Sequence, residues 1–147
     1  MRLPNLIAAI ALAASSLNPL AAQNYIGLHK TEINMRVRQE LPSFRFDNEV
    51  NNKNRSFIKF VDDLDEQTIL FVLDSTGVCT AVSRMYNTWL YDDVYKSLNH
   101  KYLSVGTNLW VEERGGQKFL IQLKRGKWYI TVSIKPDAVG TKPLPLK

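Results

Sequence analysis

Cysteine occurs once in this chain, at Cys79, and histidine only twice, at His29 and His100. A lone cysteine cannot close an internal disulfide, and three scattered Cys and His residues do not make a zinc ligand set. A catalytic thiol needs a base held beside it to supply thiolate at neutral pH. Both histidines fall at the ends of expected helices, one before the first and one closing the second. Cys79 therefore reads as a small apolar strand residue, alternating with Ala81 and Ser83. Also lacking are a phosphate-binding glycine loop, a dinucleotide fingerprint and a Ser-His-Asp motif. No dense basic face marks a nucleic-acid reader, because the net charge of +5 is spread along 147 residues.

What is present begins with "MRLPNLIAAIALAASSLNPLAAQN". Arg2 precedes an uncharged apolar run over Leu6–Ala14, and Ala22 stands where a signal peptidase takes its small residue. Residues 1–22 read as a secretory signal peptide. The run is shorter than the roughly 20 residues a spanning helix needs. No cysteine follows it to carry a lipid, and the mature chain is expected to hold no transmembrane segment. Residues 23–136 then form a single domain. The ending "DAVGTKPLPLK" has no apolar period, so residues 137–147 read as a flexible tail.

Within the domain, "YIGLHKTEINMRVRQEL" repeats Ile33, Val37 and Leu41 every four residues, the stripe of an amphipathic helix. His29 takes the capping position and Pro42 ends the helix. The asparagine-rich "SFRFDNEVNNKNR" reads as a long loop. Then "SFIKFVD", "QTILFVLD" and "VCTAVSRMY" read as strands, separated by "DDLDE" and "DSTG". "TILFVL" is apolar on both faces, as suits a central strand. A second helix, "TWLYDDVYKSLNHKY", carries the stripe Leu90, Val94 and Leu98, with Asp92 and Asp93 in its first turn. The strands "NLWVEER", "QKFLIQL" and "KWYITVSIK" complete the chain. The expected fold is α+β: an antiparallel sheet of about six strands with two helices, ordered helix, three strands, helix, three strands. Sliding the chain by 50 residues matches Val61, Gln67, Leu70, Leu73, Val82 and Ser83 with identical residues. That reads either as an internal duplication or as the similarity any two Val- and Leu-rich meanders share.

Two short runs invite a chemical reading. "DSTG" resembles an aspartic-protease turn but has one residue too many, so it reads as a hairpin turn with Gly77 at positive φ. The acids Asp62, Asp63, Asp65 and Glu66 lack the glycine and alternate oxygen ligands of a calcium loop, and read as a solvated hairpin tip. No metal or cofactor is expected.

Aromatic residues remain. If helices cover one face of the sheet only, the other can present Trp or Tyr to a partner, where such residues often dominate binding. Trp110, Trp128 and Tyr129, with Lys124 and Arg125 beside them, are the candidate binding residues. The opening "YIGLHKTEINMRV" resembles the Y-I-G-x-[ST]-K-x-E-[VI] start of small exported bacterial proteins, His29 departing from the hydroxyl. These include modules similar to β-lactamase inhibitor protein and to the small lipoprotein of the outer-membrane assembly machine. "AAQ" likewise resembles signal cleavage sites of Bacteroides-type bacteria. The resemblance implies helices on one face of an antiparallel sheet and action by binding proteins.

The sequence thus points to an exported, periplasmic or secreted, non-enzymatic module whose partner is another envelope or secreted protein. Nucleic acid is not expected, and nothing fixes the oligomeric state. The alternative is a small hydrolase or ligand carrier with a site assembled from distant strands, using Asp92, His100 or Arg84. A deep pocket with converging ionisable groups would favour that alternative, and a shallow aromatic sheet face the binding module.

Overall fold

The computed structural model describes residues 25–138. The expected signal peptide lies outside these residues, as does the expected tail beyond residue 138. Helix α1 spans Lys30–Glu40, and β1 (Arg45–Asn51), β2 (Ser56–Asp62), β3 (Gln67–Leu73) and β4 (Cys79–Asn87) follow it. A 3₁₀ turn over Thr88–Leu90 leads into α2 (Tyr91–Lys101). The second half continues with β5 (Leu103–Gly106), β6 (Leu109–Arg114), β7 (Gln117–Arg125) and β8 (Tyr129–Pro136). All pairings are antiparallel, in one sheet ordered β1-β2-β3-β4-β8-β7-β6-β5.

The α+β class and the two helices stand, but the arrangement expected from sequence does not: the sheet has eight strands rather than about six. Each half is a helix followed by four strands. The two strands missing from the sequence reading are the two edges. β1 lies in the run read as a loop, and all its residues but Val50 are exposed, so it shows no buried/exposed alternation. β5 is four residues long. Edge strands that are short or polar are how sheets protect their rims, and the same traits erase the period-2 signal. The halves meet where β4 pairs with β8. There Ser83 and Ser133, matched by the fifty-residue slide, are directly opposed with their hydroxyl oxygens 3.4 Å apart.

Both helices cover the same face. Ile33 and Val37 of α1, and Leu90, Val94 and Leu98 at α2, are buried in one core with alternate residues of the strands. Tyr25 packs on Phe71 of β3, with ring centres 5.1 Å apart, and Phe71 meets Phe60 edge-on at 5.8 Å. Under α2, Tyr95 meets Trp110 of β6 edge-on at 5.7 Å. Because α2 carries the chain from central β4 to the far edge strand β5, it lies across the β5–β8 half, while α1 covers the β1–β4 half.

The β3–β4 turn locks α1 to the sheet. Asp74 Oδ1 accepts from the backbone N–H of Thr76 (2.8 Å) and of Val78 (3.0 Å), and from the Thr76 hydroxyl (2.7 Å). These bonds, the Thr76 hydroxyl first, hold the Asp74 carboxyl below its ordinary range. Gly77 has φ +82°, and a Cβ built there would sit 2.9 Å from Nε2 of His29. His29 in turn accepts from the Thr31 N–H and caps α1. Gly77→Ala is therefore expected to cost roughly 1–3 kcal/mol, from the left-handed backbone and the displaced cap together. Urea unfolding checks it; an unchanged midpoint would contradict this account of the turn.

Candidate functional site

An antiparallel sheet with both helices on one side leaves its second face bare. Directly opposed residues share a face, so the strand register identifies that face. Its central row runs Lys59, Leu70, Ser83, Ser133, Gln122, Leu109. The row beside it runs Arg45, Val61, Thr68, Met85, Thr131, Lys124. Phe57, Val72 and Ala81 continue the face on the β1–β4 half, and Leu120, Val111 and Leu103 on the other. Few of these side chains are fully exposed, since each leans on its neighbours, yet no element of residues 25–138 is packed over them. The face is about 34 Å across and about 23 Å along the strands, or about 800 Å².

One end of the sheet is rimmed with large exposed apolar groups. Leu64 at the β2–β3 tip is 91% exposed, Trp89 after β4 is 74%, Trp128 at the β7–β8 tip is 70%, and Tyr129 is 54%. Two open grooves lie at this end. One, of about 580 Å³, runs between Leu64, Trp89 and Asp93. The other, of about 310 Å³, joins Tyr129 to Val61, Thr68 and the acidic tip. Trp and Tyr exposed beside apolar surface are typical anchors of protein–protein contacts.

The structure divides the residues picked from sequence. Tyr129 and Lys124 lie on the bare face, and Trp128 stands beside them with the Lys127 ammonium 5.1 Å from its ring centre. Arg125 lies on the helix side instead, its guanidinium 4.5 Å from the ring centre of Tyr91. Trp110 is 1% exposed and donates from Nε1 to Asn99 Oδ1 at 2.9 Å, so it belongs to the core and leaves the candidate surface. The sequence reading did not single out Leu64, Leu70 or Met85. The signal for Leu70 was visible in "TILFVL": its second apolar face is the uncovered one.

The groups named for a polar site are not brought together. Asp92 and His100 stand at opposite ends of α2, about 12 Å apart by helical rise. Arg84 lies on the helix side of β4. Its guanidinium is over the rings of Phe44 and Tyr86, and it donates to Gln67 Oε1 at 2.6 Å. The acidic run is a hairpin tip, although Asp62, expected to be solvated with it, is 3% exposed at the end of β2. Asp62 Oδ1 accepts from the N–H of Leu64, Asp63 pairs with Arg45 at 2.8 Å, and Glu66 accepts from Asn87. Among the described residues no group of three His, Cys, Asp or Glu is placed to hold a metal ion.

Cys79 is buried in the core, as expected, but does not share its face with Ala81 and Ser83. A β-bulge between the pairs Val72–Ala81 and Leu73–Cys79 inserts Thr80, which turns Cys79 toward the helices while Ala81 and Ser83 stay on the bare face. Its Sγ–H donates to the Ala81 carbonyl at 3.4 Å, and burial pushes the thiol up to about 12. Cys79→Ala is expected to cost about 1–2 kcal/mol, and Cys79→Ser more, because a hydroxyl there needs a stronger partner. A maleimide should label the thiol only after denaturation; rapid labelling of the folded protein would overturn this placement.

Comparison with known proteins finds no matching family model, no matching curated protein and no matching solved structure.

Proposed function

We propose that this protein is an exported, non-catalytic binding module that docks another envelope or secreted protein on its uncovered sheet face. The observation that carries the reading is the pairing of that face with the rim. A sheet face of about 800 Å², in which Leu70, Val72, Met85 and Leu120 alternate with Ser, Thr, Gln and Lys, has the size one partner contributes to a standard protein interface and ends in exposed Trp and Tyr. The export half of the proposal rests on the sequence of residues 1–22, and the style of action agrees with the resemblance of the "YIGLHKTEINMRV" opening. The grooves are open rather than enclosed, and Asp92, His100 and Arg84 do not converge, which gives the hydrolase or carrier reading no support.

A charge placed in the middle of the face tests it. Leu70→Asp is expected to reduce recovery of bound protein from envelope extract at least about tenfold, the effect of losing a well-packed apolar contact and desolvating a carboxylate. Lys96→Asp, on the exposed side of α2, should leave recovery unchanged. Thermal melts of both variants check that the fold survives. Equal recovery by both would contradict docking on the sheet.

A further inference from the structure

We propose that the partner presents an acidic patch over the β5–β8 half of the bare face, next to an apolar patch over the β1–β4 half. The proposal rests on the docking reading and adds the partner's chemistry. On the β1–β4 half the cations are already neutralised: Arg45 pairs with Asp63 at 2.8 Å and Lys59 with Asp47 at 3.2 Å. That half offers Phe57, Leu70, Val72 and Met85 with little net charge.

The β5–β8 half differs. Lys118, Lys124 and Lys135 lie on the face and form no ion pair among the described residues. The acid that β6 and β7 place there is Glu113, directly opposite Lys118. Asp137 follows just past β8, opposite Lys118, so this half sets three lysines against two acids and keeps a positive surplus around Lys124. An apolar partner would strip water from these ammonium groups and give nothing back, a heavy cost for a charge. Carboxylates on the partner offset that loss and steer the encounter. A second copy of this chain fits poorly, because it would set the same excess of lysines against this one. A nucleic acid would find phosphate contacts on one half only and bury Leu70 and Met85 against nothing apolar.

The test places a photo-reactive side chain at Gln122, on the bare face between Leu120 and Lys124, in the full chain expressed in cells. An adduct with a second protein is expected. Its yield should fall about tenfold when salt rises from about 0.05 to about 0.5 M, as screening of exposed charges requires. Lys124→Glu with Lys135→Glu should lower it as much. Poly-L-glutamate should compete for it, and poly-L-lysine should not. An adduct that ignores salt, charge reversal and poly-L-glutamate, yet vanishes with Leu70→Asp, overturns the acidic patch and leaves docking standing. An adduct of twice this chain's mass, or one with nucleic acid, overturns the proposal. No adduct, or one indifferent to Leu70→Asp as well, removes the docking reading with it.

Discussion

Trp110→Ala is expected to lower the unfolding free energy by about 3–5 kcal/mol, the range for removing a large aromatic from a core. Trp110 is almost wholly buried between β6 and α2, where Tyr95 packs against it edge-on and Asn99 accepts its indole N–H. Alanine would leave a cavity under α2 and remove the bond to Asn99. Trp110→Phe keeps most of the volume and loses the hydrogen bond, and should cost about 1–2 kcal/mol. Urea denaturation of the three proteins measures the series. Trp128→Ala, at the exposed tip, should move the midpoint little and act on binding instead. Equal destabilisation by Trp110→Ala and Trp128→Ala would contradict the division of the tryptophans between core and surface.

Alkaline pH should destabilise this protein progressively above about pH 9. Burial pushes the Cys79 thiol up to about 12 and raises Tyr86. Tyr25 is also raised, first by burial and then by its hydrogen bond to Glu40 and that carboxylate's charge. In the unfolded chain the thiol ionises near pH 9 and the tyrosines near pH 10. A folded-state value above the unfolded one means that the native state keeps its proton while the unfolded state sheds it. The stabilisation is therefore complete below about pH 9 and is lost as pH rises through 9–12. Lys101, shifted down by burial, works in the opposite direction, as one group against three. The guanidinium midpoint should fall steadily between pH 9 and 11. Cys79→Ala should blunt the first part of that fall and Tyr25→Phe the later part. A midpoint that stays level to pH 11 would contradict the buried, protonated state of these groups.

How much of this was legible in the sequence depended on burial. Ile33 with Val37, and Val94 with Leu98, recur at helical spacing because each helix buries one stripe, so both helices could be read directly. The strands β2, β3, β7 and β8 bury alternate residues, and their period survives in the sequence. β1 and β5 bury little, and an edge strand without alternation looks like a loop. The parting of Cys79 from Ala81 and Ser83 was missed for a different reason. One inserted residue, Thr80, reverses the alternation, and nothing in "VCTAVS" marks the bulge. Tryptophan identity alone could not separate Trp110 from Trp128. Their strands place one facing the helices and the other beyond the end of β7, and only the register between strands shows which is which.

Oxidative footprinting in intact envelopes tests the docking face most directly. Hydroxyl radicals should label Met85 and Tyr129 more slowly in the envelope than in the purified protein, because a partner covers the bare face. Met35 on α1 and Tyr95 on α2, both exposed on the helix side, should label at the same rate in each. Unchanged labelling of Met85 and Tyr129, or protection confined to Met35 and Tyr95, would contradict a partner seated on the sheet.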